Sequence, residues 1–589
     1  MFFFVKAKIR MRSASSLLVL ALLLLTHFSY SQDFLRANGK IIVDGKDQKV
    51  ILRGMGLGGW MLQEGYMFHI NVGPQYKIKS RIEELVGTEK TNQFYDQWLN
   101  SHTTKADIDS MGAWGFNSVR LPMHYGLFTL PVDKEPVAGQ NTWIEKGFAL
   151  TDSLLNWCRA NKMYLILDMH ATPGGQGNDL NISDRDASKP SLWQSQANQD
   201  KLIALWKKLA TRYANEPWIG GYDIINEPNW GFDDSTDTRG TKEKNNAPLR
   251  KLMMDITKVI REVDAKHIII IEGNGFGNNY NGVFPVWDNN LVMSFHKYGN
   301  FNDTTSIKHF LELRDQYSIP LWLGESGENS NTWFTEAIRL AETNDIGWAW
   351  WQEKKMGINN PLQIKEPAGY DKIRNYWSGK GAKPSADEAW TILQEWIADV
   401  KISNNIFHPD VIDAMFRQVY SPSPRSFRDN FIDGNTTIKA TDFDLGPQHI
   451  AYFDRDSASY HYTPGVKTIG NKGYAYRNDG VDIQGSETGN YIFSIEDGEW
   501  LQYTVRTSVS GKYTISFKTS ADKMQGQLSL LEGDKKLINR LTVPDSGGSA
   551  NWQLTSQKDV YLKKGVNCLR VYADKGGFNL SSIQFEKQK

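Results

Sequence analysis

Polar and ionisable side chains recur at the ends of predicted strands in the first two thirds of this sequence. The residues that end or directly follow these strands are Arg120, Asp168, His170, Asn226, Glu227, His296, Tyr298, Glu325, Trp350 and Trp351. Any one of them could be a structural group whose hydrogen bonds are satisfied. A whole series in the same register is harder to explain in that way, because buried ionisable groups are costly unless they are used. The series predicts an active site at the strand ends.

Eight short apolar runs alternate with longer helix-like stretches between residues 50 and 402. The predicted strands are Val50–Leu57, Ser118–Leu121, Tyr164–Met169, Gly221–Ile225, Ile268–Glu272, Leu291–His296, Leu321–Gly324 and Gly347–Trp351. This alternation is typical of parallel strands with crossover helices, and eight such units predict an α/β fold, a (β/α)8 barrel. A doubly wound open sheet is the alternative. It would need a Gly-rich nucleotide turn between a strand and a helix, and the Gly-rich stretches here lack that context.

The pattern changes after the barrel. Residues 386–402 are predicted to form the last barrel helix, and another helix is predicted near 409–419. The sequence SPSPRS at 421–426 indicates a linker, because its prolines cannot continue a helix. Beyond Asp433, short alternating strands separated by Gly, Asn and Asp predict a β-sandwich. The predicted domains are therefore the barrel at 32–420, a linker at 421–432 and the sandwich at 433–589.

The composition favours a neutral, ring-shaped partner. The 589 residues contain 67 basic and 67 acidic side chains, which argues against nucleic acid as a partner. Aromatic residues make up 12% and include 20 tryptophans, whose flat faces can cover the C–H faces of sugars. Cys158 and Cys568 fall in different predicted domains, so neither a disulfide framework nor a cysteine metal site is expected. We expect a monomer.

The N-terminus resembles an export signal. Basic residues between 6 and 12 precede the apolar run 17–25, and small residues at 29 and 31 suggest cleavage before Gln32. The apolar run is short for a membrane span. Residues 1–31 are therefore predicted to be a signal peptide, and the mature protein is expected to be secreted or periplasmic, without a membrane anchor.

Four motifs make the first domain resemble glycoside hydrolase family 5. They are NSVRLP at 117–122, INEP at 225–228, FHKY at 295–298 and LGESG at 323–327. The resemblance implies Glu227 as the acid/base and Glu325 as the nucleophile of a retaining hydrolase. It further implies that Asn226 binds the sugar 2-hydroxyl. The other implied roles are Arg120 and Tyr298 beside the nucleophile, His170 and His296 lining the site, and Trp351 as the platform under the sugar.

The chemistry of this implied pair is consistent with the neighbouring residues. Retaining hydrolysis needs two carboxyls about 5–5.5 Å apart in opposite protonation states. Arg120 and Tyr298 would favour the carboxylate of Glu325, whereas Glu227, beside that anion, would tend to stay protonated. A metal held by the two histidines and Asp168 is the alternative. Their spacing lacks a compact ligand motif and the family needs no metal, so we expect no metal and no cofactor.

Two further stretches resemble the exo-β-1,3-glucanase branch of this family. They are RGMGLGGWMLQEGYM at 53–67 and MHATPGGQGN at 169–178. The last strand, GWAWWQEKKM, and the stretch from Gly357 to Trp377 depart from the pattern of that branch. Both β-1,3- and β-1,4-glucan therefore remain as predicted substrates.

The C-terminal domain resembles carbohydrate-binding module family 6. The resemblance rests on YRNDGVDIQ at 476–484, GEWLQYTV at 498–505, GKYTISFKTS at 511–520 and GVNCLRVYADKGGFNLSSIQF at 565–585. It implies a sugar held between Tyr476 and Trp552 with hydrogen bonds from Asn579. Trp552 could instead be a hydrophobic cap on the sandwich edge. Thr441 and Ser581 stand where the family's calcium ligands are acidic, so calcium is not expected.

The sequence as a whole predicts a secreted hydrolase of β-linked glucan. A transglycosylase would use the same residues and pass the intermediate to a sugar hydroxyl, so the sequence does not separate the two activities. A non-catalytic polysaccharide-binding protein is the third alternative. The presence of both Glu227 and Glu325 with their Asn, Arg and Tyr partners counts against it.

Overall fold

The computed structural model describes residues 33–234, 236–455, 472–487, 489–523 and 525–589. The predicted signal peptide lies outside these residues. A hairpin of β1 (Arg36–Asn38) and β2 (Ile41–Val43) precedes a closed parallel barrel. The barrel strands are β3 (Arg53–Gly56), β4 (Ser118–His124), β5 (Tyr164–Ala171), β6 (Ile219–Asp223), β7 (Ile269–Ile271), β8 (Leu291–Lys297), β9 (Leu321–Gly327) and β10 (Gly347–Trp351). All eight predicted strands are confirmed, and β10 pairs with β3 to close the barrel.

Helices surround the strands. They are α1 (Gln75–Ser101), α2 (Lys105–Trp114), α3 (Glu145–Ala160), α4 (Gln196–Tyr213), α5 (Ala247–Arg261), α6 (Lys308–Tyr317), α7 (Asn331–Thr343), α8 (Tyr370–Trp377), α9 (Ala386–Asp399) and α10 (Pro409–Met415). One-turn helices span Leu180–Ser183, Asn274–Gly277 and Arg417–Tyr420. Residues 272–290 connect β7 to β8 through one of these single turns. The C-terminal end of β7 is therefore followed by loops and this single turn, without a longer helix.

The sequence assigned the wrong helix to the last position of the barrel layer. The predicted helix forms as α9, but its buried Leu393 and Trp396 pack with Trp98 of α1 in a separate cluster beside the barrel. The position against the barrel core belongs to α10, whose Val411 and Met415 join the main hydrophobic core. Both helices have an apolar face, and only the path of the chain after β10 decides which face meets the barrel.

A small sheet extends beyond β10. It consists of β11 (Lys354–Lys355), β12 (Leu362–Gln363) and β13 (Ile406–Phe407), in that order. This sheet contains part of the stretch that departs from the glucanase pattern. It begins three residues after the last barrel strand, so its side chains lie beside the strand ends.

The C-terminal region is a sandwich of two sheets around its own core. One sheet contains β14 (Asn430–Ile432), β16 (Tyr452–Phe453), β19 (Trp500–Thr507), β21 (Gly526–Glu532), β22 (Lys535–Val543) and β24 (Gly565–Lys575). The other contains β15 (Asn435–Lys439), β17 (Ile483–Gln484), β18 (Tyr491–Ile492), β20 (Gly511–Ala521), β23 (Gln553–Leu562) and β25 (Phe578–Lys587). The predicted sandwich is confirmed. Its first strand, β14, takes up the last residues of the predicted linker.

The helices of the described residues include none that combines the length and the apolar character needed to cross a membrane.

Candidate active site

Arg120 is the centre of a buried charge network at the strand ends. It lies on β4 with no exposed surface. Its guanidinium donates to Glu325 Oε1 at 2.5 Å, to Asp223 Oδ2 at 2.9 and 3.0 Å, and to Glu272 Oε1 at 3.2 Å, and Asp168 Oδ2 lies 3.3 Å away. One cation is thus shared by four carboxyls from four strand ends. Its fork geometry fixes their directions, because each N–H points along a set direction.

Glu325 is held as an anion. It lies on β9, and the Tyr298 hydroxyl donates to its Oε2 at 3.0 Å, opposite the Arg120 contact to Oε1. Burial by itself would raise the pKa of this carboxyl. The charges of His296 and Arg120 outweigh burial and hold the pKa below its usual range. An ionised carboxylate that lines the cavity can act as a nucleophile.

Glu227 has the opposite tendency. Burial raises the pKa of its carboxyl, against a hydrogen bond with His296 whose Nδ1 lies 2.6 Å from Oε1. Its backbone takes a left-handed φ of 41°, which is costly for a residue with a side chain. The backbone N–H donates to Glu272 Oε2 at 2.7 Å, which holds this conformation. Glu227 is therefore the carboxyl of the pair that favours its protonated form.

The two glutamates face each other across the cavity. One oxygen of Glu227, one of Glu325 and one ring nitrogen of His296 all lie within 4.8 Å of one another. The pKa of His296 is raised well above its usual value, because Glu272 and Glu325 outweigh the effect of burial. A protonated imidazole between two carboxyls lowers the cost of placing them close together.

The same three side chains could each offer one atom to a metal ion. Both ring nitrogens of His296 already face carboxyls of the protein, with Nδ1 2.6 Å from Glu227 Oε1 and Nε2 3.2 Å from Glu272 Oε1. His170 and Asp168, the other residues of the metal alternative, contact each other, with His170 Nδ1 2.7 Å from Asp168 Oδ2. The same Asp168 oxygen lies 3.3 Å from the Arg120 guanidinium. The arrangement favours acid and base chemistry over metal binding.

Aromatic rings form the floor and one side of the cavity. The His170 and Trp351 rings are stacked, with centroids 5.3 Å apart and planes 5° from parallel. The Trp351 indole N–H donates to the Tyr66 hydroxyl at 2.9 Å. The cavity has a volume of about 290 Å³ and is lined by Glu64, Tyr66, His170, Ile182, Glu227, Phe276, Tyr298, Glu325, Glu328 and Trp351. Asn226 is fully buried and is not among these lining residues; its Oδ1 accepts from Arg120 at 2.8 Å, and its amide nitrogen lies 3.4 Å from Nε2 of the lining residue His170.

The structure brings together the barrel residues that the sequence placed at the strand ends, except Trp350, and it adds some. The Trp350 ring packs on Trp333 and Phe334 in the main hydrophobic core, away from the cavity lining. Glu272 was predicted as the end of a strand but not as a site residue. It accepts from Arg120 and from the Glu227 backbone, and its pKa falls to about 2, because His296 and Arg120 outweigh burial. The signal that could have found it was its place after the fifth strand. Tyr66 lay in the glucanase-like stretch and had no strand-end position to mark it.

The sandwich residues of the predicted sugar site divide into two groups. Trp552 makes an edge-to-face contact with Tyr491, with centroids 5.1 Å apart, and Asn579 donates to the carbonyl oxygen of Ser549, three residues before Trp552. Tyr476 contacts Phe427, and its hydroxyl donates to Asp442 at 2.5 Å. The aromatic partner that the structure gives Trp552 is thus Tyr491, a residue that the sequence analysis passed over.

A (β/α)8 barrel with two facing glutamates at its strand ends, joined to a β-sandwich, defines a class of two-domain glycoside hydrolases. The barrel matches the model of "Cellulase (glycosyl hydrolase family 5)" over residues 79–357, and the sandwich matches "Carbohydrate binding module (family 6)" over residues 474–587. The chain is a glycoside hydrolase that contains a family 5 catalytic domain and a family 6 carbohydrate-binding module.

Curated relatives are similar at moderate identity. A beta-xylosidase of Phanerodontia chrysosporium is 25% identical over an alignment of 423 residues, which covers 66% of this chain and 83% of that protein. Endoglucanase C of Acetivibrio thermocellus is 22% identical over an alignment of 382 residues, which covers 54% of this chain and 96% of that protein. A glucan 1,3-beta-glucosidase of Candida oleophila is 25% identical over an alignment of 316 residues, which covers 50% of this chain and 66% of that protein.

Proposed function

We propose that this protein is an exported retaining hydrolase that cleaves β-glucosidic bonds in a β-1,3- or β-1,4-glucan. The observation that carries the proposal is the pair Glu227 and Glu325, with oxygens within 4.8 Å and pKa values displaced in opposite directions. This separation fits the closely spaced carboxyls of retaining enzymes better than the wider pair of inverting enzymes, at about 6.5–9.5 Å. The signal-like residues 1–31 support export.

In the first step, Glu325 attacks the anomeric carbon while Glu227 gives its proton to the departing glycosidic oxygen. The C–O bond to the leaving sugar breaks as the bond to the Glu325 carboxylate forms, which leaves a covalent glycosyl–enzyme. Tyr298 and Arg120 hold Glu325 as the anion that this step consumes. Asn226, held by Arg120, is placed to bind the 2-hydroxyl of the sugar.

In the second step, the Glu227 carboxylate takes a proton from water, and the water oxygen attacks the anomeric carbon. Glu325 leaves as a carboxylate, so both residues return to their starting states and the configuration is retained. His296 stays close to both carboxyls and offsets the negative charge that moves between them. Trp351, backed by His170, is the platform beneath the sugar ring.

The module is proposed to hold the polysaccharide through Trp552, Tyr491 and Asn579. Their rings and amide are partly exposed on one sheet of the sandwich, as a sugar-binding face requires. The predicted Tyr476 is less suited to direct stacking, because its ring packs on Phe427 and its hydroxyl is bonded to Asp442.

A panel of polysaccharides tests the substrate class. Reducing sugar released from β-1,3-glucan, β-1,4-glucan, xylan and mannan is measured with the wild-type protein and with Glu325→Ala as the inactive control. We expect release from one or both glucans, in preference to the other two, as the names of the endoglucanase and glucan glucosidase relatives suggest. Release from xylan alone, as the name of the xylosidase relative would suggest, would overturn the glucan assignment.

A further inference from the structure

A second cavity adjoins the catalytic cavity and crosses the boundary between the two domains. It has a volume of about 500 Å³. Tyr66 lines both cavities, so they meet at its ring. Lys355 and Gln363, from the small sheet beyond β10, form part of the barrel wall, and Tyr474 and Asn478 of the module form the opposite wall. Tyr66 therefore connects the catalytic pair to a groove between the barrel and the module.

Buried polar groups fix the module against the barrel. The Asn331 amide nitrogen donates to Asp410 at 2.8 Å within the barrel domain and to Asp479 of the module at 3.2 Å. The Asn478 side chain donates to the Asn329 carbonyl oxygen at 2.8 Å, and its backbone N–H donates to Asp410 at 2.8 Å. Asn331, Asp410, Asn478 and Asp479 are all buried. A buried network of this kind sets one orientation, because sliding of the domains would break the bonds of Asn478 to Asn329 and Asp410 and the bond of Asn331 to Asp479.

This contact starts close to the nucleophile. β9, the strand that carries Glu325, ends at Gly327. Asn329 lies in the short loop after it, and Asn331 is the first residue of α7. Between them and Glu325 lies Glu328, which lines the catalytic cavity and pairs with Lys355 at 2.5 Å. The module thus contacts the loop that follows the nucleophile strand, and only a few residues separate this contact from Glu325.

The walls of the groove suit a neutral sugar chain. Tyr66 and Tyr474 are 46% and 53% exposed, so each contributes exposed aromatic surface to the groove. The ionisable side chains along it have partners within the protein: Lys355 pairs with Glu328, and His69 Nδ1 lies 2.7 Å from Glu366 Oε1. Ring faces with polar groups between them match the alternating C–H faces and hydroxyls of a sugar, and paired charges do not select an ionic ligand.

We infer that the groove from Tyr66 to Tyr474 binds the continuing chain of a β-linked polysaccharide, beyond the sugars at the cleaved bond. Tyr474 of the module is then a specificity residue of the enzyme, distinct from the face around Trp552. The inference rests on the proposed function, because it extends the same substrate away from the catalytic pair. The module then has two roles: it forms one wall of the substrate groove at Tyr474, and it binds polysaccharide separately through the face around Trp552.

The test compares a long and a short substrate in the full-length protein. The long one is a hexasaccharide of the linkage that the wild type cleaves, and the short one is the aryl glycoside of the matching disaccharide. Tyr474→Asn removes the ring and suits the left-handed backbone at this residue, whose φ is 49°. We expect kcat/KM to fall about fivefold to tenfold on the hexasaccharide and to stay unchanged on the aryl glycoside, because only the long chain reaches the ring.

Two matched variants serve as controls. Tyr561→Asn removes a tyrosine of the same 53% exposure on strand β23 of the module, and it should leave both substrates unaffected. Tyr474→Trp keeps a ring and should keep the hexasaccharide activity. Melting temperatures of all variants check that the fold is intact.

The outcomes separate this inference from the proposed function. A loss confined to the hexasaccharide supports the groove. Two results in an active wild type would contradict chain binding in the groove and leave the proposed function intact. In the first, Tyr474→Asn behaves like Tyr561→Asn on both substrates; in the second, Tyr474→Asn loses activity equally on both. A wild type that is inactive on every β-glucan overturns both.

Discussion

At the scale of single residues, the site depends on the opposite pKa shifts of two glutamate carboxyls. Both glutamates are buried, and burial raises the pKa of either one. Glu325 receives direct hydrogen bonds from Arg120 and Tyr298, whereas the side-chain partner of Glu227 is His296 alone among the contacts described. At Glu325, charge and hydrogen bonding lower the pKa by more than burial raises it. At Glu227, the effect of burial is larger and the pKa is raised. The difference between the two roles comes from neighbours, since the residue type is the same.

Azide can separate these roles. Glu227→Ala should still form the intermediate on an aryl glycoside with a good leaving group and then stall, which gives a burst and slow turnover. Added azide needs no base and should restore turnover with a β-glycosyl azide. On polysaccharide, the same variant should lose roughly 10²–10⁴-fold, because an alkoxide leaving group needs the proton.

Glu325→Ala provides the reciprocal control. Azide would occupy the place of the nucleophile and give the α-azide, which NMR distinguishes from the β product. Exchanged stereochemistry between the two variants would reverse the assignment of acid and nucleophile. Full activity in both variants would place the catalytic pair elsewhere.

At the scale of elements, buried charges attach the segment after β10 to the helix layer. Asp107 caps the start of α2, where it accepts from the Thr104 backbone at 2.7 Å. The same carboxylate pairs with Lys354 of β11, whose ammonium also donates to the His102 carbonyl oxygen at 2.7 Å. Lys354 and Asp107 have no exposed surface. One ion pair thus fixes the start of the small sheet, and through it one wall of the groove.

Lys354→Met should destabilise the fold strongly. The substitution keeps the volume of the side chain and leaves Asp107 as a buried carboxylate without its cation, so we expect about 3–5 kcal/mol less stability in urea unfolding. Adding Asp107→Asn removes the unpaired charge and keeps an oxygen that can cap α2, so the double variant should recover part of the loss. A double variant less stable than Lys354→Met would show that charge compensation is not the reason.

At the scale of the whole molecule, two hydrophobic cores are joined by a polar contact. The barrel and the sandwich each have a separate apolar cluster. The contacts that cross between them include the network of Asn331, Asp410, Asn478 and Asp479. Removing one of these groups leaves its neighbours buried with one hydrogen bond fewer, and a buried polar atom that loses its hydrogen bond costs about 1–3 kcal/mol. The docking of the module should therefore be sensitive to single polar substitutions.

Asn331→Ala should uncouple the domains. It removes the amide that bonds both Asp410 and Asp479, so the module should unfold in a separate, earlier transition by calorimetry, with the barrel transition nearly unchanged. Protease sensitivity at residues 421–429 should rise with it. Asn100→Ala, an exposed amide on α1, is the matched control. Coincident unfolding of both domains in Asn331→Ala would contradict a docking role for the network.

The sequence by itself determined the strands and the chemistry of their ends. Alternating apolar runs and helices predict a barrel, and a barrel brings the C-terminal ends of all its strands to one face, so the polar strand-end residues could be placed at one site. The choice of Glu227 and Glu325 as the reacting pair came from the resemblance of the INEP and LGESG motifs to family 5. Local patterns were enough, because each strand end is defined by its own neighbours in the chain.

Only the tertiary structure decided which distant residues meet. Glu272 beneath His296, Tyr491 beside Trp552, and the choice of α10 over α9 against the barrel all depend on contacts between segments far apart in sequence. The groove at Tyr66 depends on such contacts too, because it exists only where the module is docked. A sequence pattern reports the periodicity of one segment. The distance between two segments is set by how their surfaces pack, and that requires the whole fold.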